Sequence, residues 1–447
     1  MKSRRRSAEL GLIVLASAIT GGAYVLASLG WSASVPANIG PFLGVVIGLL
    51  LFAHLANRWL APRADPVLLP LAALLNGLGY VMIARLAGDL GDDAADLPGL
   101  QANWVAVSIA AYVAVLLFVR RVRSLERYRY ILAVIGLFLL IVPLIPGIGR
   151  EINGARIWAS IGPVNFQPGE FAKLALAVFF AAYLTDKREL LQQATFRIGR
   201  LRLPEPRHLG PIILAWGISV LVMISEKDLG SSLLFFAMFV VLLWVATEKV
   251  SYVLLGTALF SAGAYFAWAQ FDHVRERVST WIDPWSVAKD EGFQTVEAAF
   301  ALADGGLTGS GLGLGQPDRI PEVETDFIFA AIGEELGLIG STAILIAYLL
   351  MIGSGLRIAV RASRTFDKLL AVGLTTLLGV QAFIIIGGVI RLVPLTGITL
   401  PFVSYGGSSL LANYVLLALL VRLSDEVEGG ADQVALAASE KPTESVA

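Results

Sequence analysis

The sequence lacks cysteine entirely and contains only three histidines among its 447 residues. Without cysteine, neither a disulfide bond nor a thiolate-bound metal can contribute to stability or chemistry. The histidines, His54, His208 and His273, are far apart along the chain, so no histidine cluster predicts a metal centre. Any metal ion would need oxygen ligands or these three side chains.

Charged residues are also scarce, at 15% of the chain against about 25% in an average soluble protein. Hydrophobic residues make up 56%, and the mean hydropathy is +0.74. These values indicate a polytopic membrane protein, and the apolar stretches leave no room for a separate soluble domain. The basic start, Met-Lys-Ser-Arg-Arg-Arg, is typical of a signal peptide, but no convincing cleavage site follows, which favours a retained first helix.

The hydropathy pattern predicts an all-α bundle of about twelve membrane spans, each near the roughly 17 to 25 residues that a spanning helix needs. The least certain boundary is the division between two spans near residues 226–228. We place the spans at residues 9–30, 39–57, 66–86, 102–120, 129–147, 169–185, 209–225, 228–247, 250–270, 326–353, 369–390 and 403–422.

The basic connections between these spans all fall on one side, which the positive-inside rule makes cytoplasmic. Both termini are expected on that side, with a disordered tail at residues 426–447, and the long segment 271–325 on the outer side. The basic groups are residues 4–6, 58, 63, 120–129, 187–207, 249, 357–368 and 422.

Two polar, glycine-rich segments, Thr325–Gly337 and Gly397–Ser409, interrupt the apolar sequence at the predicted outer face. Unpaired carboxylates are costly at membrane depth, so such residues usually face a cavity or the bundle interior. Asp326, Glu334 and Glu335 are therefore the first candidates for a working site. The alternatives are that Asp326 caps the following helix and that the glutamates pair with a buried base.

The long outer segment contains several arginines and tryptophans and the glycine run 305–315. No strand precedes this run, and it lacks the lysine of a P-loop, so it is not a nucleotide-binding motif. A flexible loop is one interpretation, and interfacial anchoring of the aromatic residues is another. Interleaved arginines and tryptophans also suit a surface that binds lipid headgroups, sugars or a diphosphate.

The cations expected in the outer half of the bundle are Lys173, Lys227 and Arg391. Glu170 and Lys173 are three residues apart in a predicted helix, a spacing that favours an ion pair. The sequence Glu226-Lys227-Asp228 is either a short polar turn or part of a cavity wall.

Five segments together resemble the SEDS family of FtsW, RodA and SpoVE, in the family's order and spacing over about residues 66–425. With two spans ahead of the family's usual ten, the chain is most similar to the RodA branch from actinobacteria. The resemblance divides the chain into an additional transmembrane pair at 1–65, a SEDS polymerase domain at 66–425 and the tail. The five segments are Asn153–Trp158, Phe166–Lys173, Lys227–Ser232, Pro321–Phe329 and Leu400–Ser409.

The resemblance implies a peptidoglycan glycosyltransferase that polymerises lipid II outside the plasma membrane with a class B penicillin-binding protein. Other elongation or division proteins are further expected partners, and nothing indicates nucleic acid. The family's essential aspartate corresponds to Asp326, and its Gln-Pro-x-Glu-Phe-x-Lys motif to Glu170 and Lys173. The chain departs from the family in Lys227, where proline is frequent, and in Glu297-Ala298, where Gln-Ser is frequent.

In that reaction Asp326 would act as the general base that takes a proton from an acceptor hydroxyl. Arg275, Arg277, Arg319 or a divalent cation, Mg²⁺ or Mn²⁺, would stabilise the diphosphate leaving group. Further substrate-binding candidates are Lys173, Glu170 and Trp158. The residues expected to shape the cavity are Glu335, Lys227, Asp228, Ser404, Gly406 and Gly407.

Two other functions fit the same sequence. About twelve spans with buried charges would suit a flippase for lipid II. Basic loops and a mobile tail would suit a non-catalytic scaffold for cell-wall enzymes. The sequence leaves the choice between elongation and division open.

Overall fold

The computed structural model describes residues 2–35, 39–91, 94–152, 155–162, 164–192, 196–198, 201–203, 206–226 and 228–439. Fifteen helices form most of this part of the chain. They are α1 Lys2–Ser32, α2 Ile39–Leu60, α3 Leu68–Asp89, α4 Leu97–Phe118, α5 Arg123–Arg127, α6 Arg129–Ile141, α7 Pro168–Gln192, α8 Pro206–Ser225, α9 Leu229–Thr247, α10 Val250–Gln270, α11 Asp272–Ile282, α12 Phe293–Gly305, α13 Ile328–Arg361, α14 Thr365–Val389 and α15 Gly407–Ser439.

Ten helices of the described chain are long and apolar enough to cross a membrane, which agrees with ten of the predicted spans. The spans predicted at 129–147 and 209–225 lie on α6 and α8, where the apolar stretches, Arg129–Leu144 and Ile213–Val222, are shorter. Large apolar side chains such as Trp59, Phe118 and Val360 project from the bundle. Such a surface suits hydrocarbon rather than water, and the chain is a multi-pass membrane protein.

Helices α7, α14 and α15 form the centre of the bundle, because most of their residues are buried. Helix α14 packs against α13, α9 and α7, while α15 packs mainly against α4. The additional pair lies outside this centre, with α1 against α3 and α2 against α4. Polar side chains that project inward from α7 or α14 are therefore enclosed by protein and need partners there.

Two small antiparallel sheets were not anticipated in the all-α prediction. The first joins β1 Gly149–Ile152, β2 Ala155–Ile161 and β3 Val164–Phe166, with Arg150 opposite Trp158 and Ala159 opposite Phe166. The second pairs β4 Phe196–Ile198 with β5 Leu201–Leu203. Both sheets lie between helices. Their strands are only three to seven residues long, so a hydropathy window of the length of a membrane span does not detect them.

The first sheet lies at one end of the bundle, together with α11 and α12. There the backbone N–H of Arg156 donates to the carbonyl of Glu226, and that of Gln167 donates to Ser408 Oγ. We call this end of the bundle, where α8, α10 and α14 finish and α7, α9, α13 and α15 begin, the site end.

The opposite end carries both terminal regions. Arg5 Nη2 lies 2.8 Å from Glu428 Oε2, and Glu426 Oε1 accepts a hydrogen bond from the backbone of Val122 at 2.6 Å. Helix α15 continues past residue 426 to Ser439, and Glu426 and Glu428 connect the start of the predicted tail to neighbouring helix ends. The disordered tail at residues 426–447 stays a prediction.

The segment 271–325 is not a simple loop, since it contains α11, α12 and short 3₁₀ turns. Its glycine run, residues 305–315, is named here the glycine segment. The backbone N–H groups of Ser310 and Gly311 donate to the carbonyls of Glu334 and Glu335, at 2.9 and 3.0 Å. The interpretation of this run as a flexible loop is therefore wrong.

The glycine segment pairs with a break inside α13. At Gly337 the backbone has φ 63° and ψ −166°, a combination open essentially to glycine alone. The N–H groups of the next two residues, Leu338 and Ile339, donate to the carbonyls of Gly306 and Leu307. A Cβ added at Gly337 would lie 2.3 Å from the backbone nitrogen of Gly309, so the close approach also requires glycine.

Replacing Gly337 with alanine should destabilise the protein, because the side chain adds backbone strain of about 1–3 kcal/mol and a collision with the glycine segment. The measurement is thermal unfolding in detergent. Gly353→Ala on the same helix is the control: nothing lies within 4 Å of its added Cβ, and alanine improves helix propensity by about 1 kcal/mol. Equal melting of the two variants would contradict the role of Gly337.

Candidate active site

Asp326 lies at the site end, two residues before α13 begins, and lines a cavity of about 290 Å³. The cavity wall includes Arg277 and Trp281 of α11, Gln294 of α12, and Arg391 beyond α14. The alternative that Asp326 caps α13 is wrong, because Phe327 occupies the cap position and no side chain bonds there. Its carboxyl group therefore faces the cavity rather than serving the helix end.

The second polar segment, 397–409, holds the chain directly before this aspartate. Ser404 Oγ donates to the carbonyl of Thr325 at 2.6 Å, and the backbone N–H of Tyr405 donates to the carbonyl of Glu324 at 2.8 Å. The N–H of Leu400 in turn donates to Ser404 Oγ at 2.9 Å. The two segments singled out in the sequence thus form one hydrogen-bonded unit.

The turn at Phe402 is strained, since its φ of 67° is unusual for a bulky residue. Its ring packs edge-on against Tyr414 at 5.4 Å between centroids, and the preceding carbonyl of Pro401 accepts from Tyr348 at 2.6 Å. These contacts hold the strained backbone in place, as is typical of turns that support functional groups.

Arg277 is the cation nearest to Asp326 among the predicted arginines. A Cβ built on Gly397 would lie 3.6 Å from Asp326 Oδ2 and 3.7 Å from Arg277 Nη2, so both charged groups border this glycine. Arg277 Nη1 donates to the carbonyl of Leu395 at 3.0 Å, which anchors α11 beside the 397–409 segment. The pair offers an acceptor of protons and a fixed positive charge in the same cavity.

Burial raises the pKa of the Asp326 carboxyl to about 7, and the nearby carboxylates of Glu322 and Glu324 act in the same direction. Arg277 lowers this pKa, as does a hydrogen bond with Thr325, but burial is the larger influence. A carboxyl group with a pKa near neutrality is suited to accept a proton in general-base catalysis.

Three predicted binding residues are not brought to this cavity. Arg275 is exposed on α11, where its Nη1 lies 3.3 Å from Asp272 Oδ1. Arg319 lines a second cavity of about 230 Å³, beside Gln316 and Glu334. Trp158 is half-buried on β2, away from Asp326. Of the three arginines predicted to stabilise the diphosphate, Arg277 lines the cavity with Asp326, and Arg391, predicted only as an outer-half cation, lines it as well.

The ion pair predicted for Glu170 and Lys173 is present, with Nζ 2.6 Å from Glu170 Oε2. Both residues are at least 95% buried, on α7. Lys173 Nζ also donates to Gln381 Oε1 at 2.8 Å, and Gln381 Nε2 donates to the carbonyl of Thr399 at 2.8 Å. The pair thus lies behind the 397–409 segment and does not line the cavity, so its assignment to substrate binding stays a prediction.

Asp228 caps α9, because its Oδ1 accepts from the backbone N–H of Ser231 at 2.9 Å. Lys227 lies outside the described residues. Burial raises the pKa of Asp228, the neighbouring carboxylate of Glu170 adds to that increase, and Arg277 lowers it. The pKa of buried Glu226 is raised to about 8, first by burial and then by Asp228. The turn between α8 and α9 therefore adds the carboxyl groups of Glu226 and Asp228 to the acidic residues around the site.

Glu334 and Glu335 hold the glycine segment rather than Asp326. Glu335 is 1% exposed, and its Oε1 accepts from Arg85 Nε of α3 at 2.9 Å, which confirms pairing with a buried base. Its Oε2 accepts from the backbone of Gly313, while Glu334 Oε1 accepts from that of Gln316. Neither glutamate lines the Asp326 cavity.

Gly406 and Gly407 shape the start of α15 instead of lining the cavity. A Cβ at Gly407 would lie 2.1 Å from Trp104 Cε2, and one at Gly406 would lie 3.1 Å from Thr399 Cγ2. Their lack of side chains lets α15 approach α4 and the 397–409 segment.

Sequence reasoning named Arg391 as an outer-half cation but missed its contact with Trp281, which docks α11, and missed Gln381, which connects α14 to the site. Trp281 Nε1 donates to the carbonyl of Arg391 at 3.0 Å, and Arg391 Nη2 donates back to the carbonyl of Trp281 at 3.2 Å. Gln381, a polar side chain inside a predicted span, carried the same signal that singled out the glutamates.

A divalent cation was the other expectation at this site. In the described ranges no three histidine or carboxylate side chains converge as metal ligands. The requirement for Mg²⁺ or Mn²⁺ stays a prediction, and the reaction step proposed below uses no metal ion.

Removing the buried ammonium group of Lys173 should destabilise the protein. Lys173→Met leaves the Glu170 carboxylate uncompensated and is expected to lower the free energy of unfolding by about 3–5 kcal/mol. The double variant Glu170→Gln/Lys173→Met should recover part of this loss, and Lys289→Met, at an exposed position, serves as the control. Thermal unfolding in detergent measures all three, and wild-type melting of the single variant would refute the pairing.

The family described as cell cycle protein, FtsW/RodA/SpoVE, matches residues 66–429 of the chain. The peptidoglycan glycosyltransferase RodA of Mycobacterium bovis is 47% identical over 424 residues, covering 94% of this chain and 90% of that protein. RodA of Mycobacterium leprae, of the same description, is 46% identical over 428 residues, with the same coverage of each chain.

Solved structures give the same result. A chain of a peptidoglycan synthase complex that coordinates polymerization and crosslinking superposes with a TM-score of 0.67 at 28% identity, covering 81% of this chain and 98% of that chain. The rod shape determining protein RodA of Thermus thermophilus superposes with a TM-score of 0.57 at 27% identity, covering 82% and 98%. The chain belongs to the FtsW/RodA/SpoVE family.

Proposed function

We propose that this chain is a peptidoglycan glycosyltransferase of the RodA type, which polymerises lipid II at the outer face of the plasma membrane. The observation that carries the proposal is the carboxyl group of Asp326, with its pKa near 7, beside Arg277 in a cavity at the site end. The M. bovis relative, 47% identical, supports the reaction class through its description as a peptidoglycan glycosyltransferase.

The distribution of charge supports the orientation. Arginines are concentrated at the end opposite the site, including Arg5, Arg361 and Arg422, whose side chains pair with carboxylates or backbone carbonyls. By the positive-inside rule that end is cytoplasmic. The site end then faces outward, where a lipid-linked sugar can enter while its apolar tail stays in the bilayer.

The proposed step is a single displacement at the anomeric carbon of a lipid-linked donor. The acceptor hydroxyl oxygen forms a bond to that carbon, and the bond from the carbon to the diphosphate oxygen breaks, leaving its electron pair on the diphosphate. The hydroxyl proton passes to Asp326, and the configuration at the carbon inverts. Arg277 is the group best placed to stabilise the negative charge that develops on the leaving group.

A class B penicillin-binding protein is the proposed partner, because one solved relative comes from a complex that couples polymerization to crosslinking. The flippase alternative is less well supported, since the buried cations Arg85 and Lys173 are paired with carboxylates and enclosed by protein. A scaffold without catalysis would not need a carboxyl group of perturbed pKa in a cavity.

Asp326→Asn should abolish glycan formation, with a loss of about 10²- to 10⁴-fold because no general base remains. The assay is polymerisation of lipid II by the purified protein with its partner. Asp272→Asn is the matched control, since that carboxylate is 87% exposed and lies outside the cavity. Equal amounts of glycan from wild type and Asp326→Asn would refute the assignment of Asp326 as the general base. A wild type that makes no glycan would favour the flippase or the scaffold.

The rate of polymerisation should rise with pH through about 7, because Asp326 acts in its ionised form and its pKa lies there. The titratable and charged groups around it are His273, Glu276 and Arg277 on α11, Glu322 and Glu324 on its own segment, and Glu291 and Arg391 on the cavity wall. A rate that stays constant from pH 5.5 to about 8.5 would contradict this assignment.

The same pKa predicts the sign of a stability effect. Because the pKa of Asp326 is higher in the folded than in the unfolded chain, ionising it lowers stability as the pH rises from about 4 to 7. Asp326→Asn should therefore melt no earlier than wild type at pH 8, which separates lost chemistry from lost folding.

A further inference from the structure

Gln381 connects the buried ion pair of α7 to the segment that supports the site. It projects from α14, is 1% exposed, and bonds in two directions. Its Oε1 accepts from Lys173 Nζ at 2.8 Å, and its Nε2 donates to the carbonyl of Thr399 at 2.8 Å. A side chain buried this completely at membrane depth is costly unless both ends of its amide are satisfied, as they are here.

The partners fix which way the amide points. An ammonium group can only donate a hydrogen bond, and a backbone carbonyl can only accept one. Glutamine meets both needs, because its amide accepts at one end and donates at the other. A glutamate that is ionised beside the Lys173 ammonium would keep the contact with Lys173 but place a carboxylate oxygen, which cannot donate, against the Thr399 carbonyl.

The carbonyl that Gln381 holds belongs to the part of the 397–409 segment that touches the site. Thr399 follows Gly397, the glycine that borders both Asp326 and Arg277, by two residues. It precedes Leu400, whose N–H bonds Ser404, and Ser404 in turn bonds the Thr325 carbonyl. A shift of Thr399 would therefore move Gly397, which borders Asp326 and Arg277, and Ser404, which holds the residue before Asp326.

We propose that Gln381 is a positioning residue for the polymerisation reaction: it holds the 397–409 segment against α7 and α14, and thereby sets the placement of Asp326 and Arg277. This inference rests on the proposed function. Gln381 itself does not line the Asp326 cavity, so it acts through Thr399 and not on the substrate.

The proposed positioning role depends on the hydrogen bond from Gln381 Nε2 to the Thr399 carbonyl and not on the contact of Gln381 with Lys173. Gln381→Met removes both bonds at nearly constant volume. Gln381→Glu removes only the donor to Thr399. Both variants should therefore lose activity to a similar extent, with kcat falling roughly tenfold or more, since a displacement of about 1 Å can cost on the order of 10²-fold. KM should change little, because no contact with substrate is removed.

The matched control is Gln101→Met. Gln101 is completely buried on α4, and within the described part of the chain neither of its amide atoms has a hydrogen-bond partner. It therefore tests the same exchange of amide for thioether at a position without a bridge. This variant should keep wild-type kcat.

A third variant of Gln381 tests the proposal if Gln381→Met or Gln381→Glu fails to fold. Gln381→Asn keeps the donor and the acceptor on a side chain one methylene shorter, and it should melt like wild type with an intermediate kcat. Its pH profile is the readout that a purely structural role would not move: the acidic limb near pH 7 should shift, because the surroundings of Asp326 change.

The experiment is steady-state polymerisation of lipid II by each variant in complex with the partner, alongside thermal unfolding. Retention of wild-type kcat by Gln381→Glu, or an unshifted pH profile in Gln381→Asn, would overturn the proposal. If wild type makes glycan and these variants do as well, only the role of Gln381 fails. If wild type makes none, the proposed function fails first.

Discussion

A membrane-spanning helix can be broken only where other parts of the protein pair the backbone groups that the break sets free. At Gly337 this condition is met by the glycine segment, whose N–H and carbonyl groups bond to both sides of the break. Arg85 and Glu335 add side-chain bonds to the same segment. The break fixes where α12 ends relative to α13, and thus where the chain returns toward Asp326.

The buried charges follow from the same requirement. Two cations that the bundle encloses at the site end are paired and also bonded to a backbone or amide group: Arg85 to Glu335 and Gly315, and Lys173 to Glu170 and Gln381. Pairing these charges makes the geometry specific, since a shifted partner would leave a charge unpaired in apolar surroundings. Asp326, in contrast to Glu170 and Glu335, lines the cavity together with Arg277.

Local patterns predicted those parts of the structure that depend on local physics. Spans follow from hydropathy because lipid demands long apolar helices, and the pair of Glu170 with Lys173 follows from their spacing on one helix face. The contacts between the two polar segments could not be predicted, because Thr325 and Ser404 are 79 residues apart and meet only in the folded bundle. The same holds for Arg85 and Glu335, which are 250 residues apart.

The different positions of Arg275 and Arg277 have a simple geometric origin. In an extended loop, Arg275 and Arg277 would both be free to reach a ligand. In helix α11 they are two positions apart and so point about 200° from each other, since successive residues advance by about 100°. Arg277 then faces the cavity, and Arg275 faces outward to Asp272. Recognising α11 would have separated the two, but its charged, weakly apolar sequence falls outside the pattern of a membrane span.

Opposing influences on Asp326 explain why the site combines a buried carboxyl group with an arginine. Burial alone would keep the group protonated and useless as a base, whereas a tight ion pair would make it too weak a base. Arg277 lowers the pKa but burial prevails, and the result lies near 7. In the proposed reaction the donor's diphosphate would compete for the same guanidinium, which weakens the influence of Arg277 on Asp326. The carboxylate then becomes more basic when the donor is in place, so that proton removal is favoured only once there is a carbon to attack.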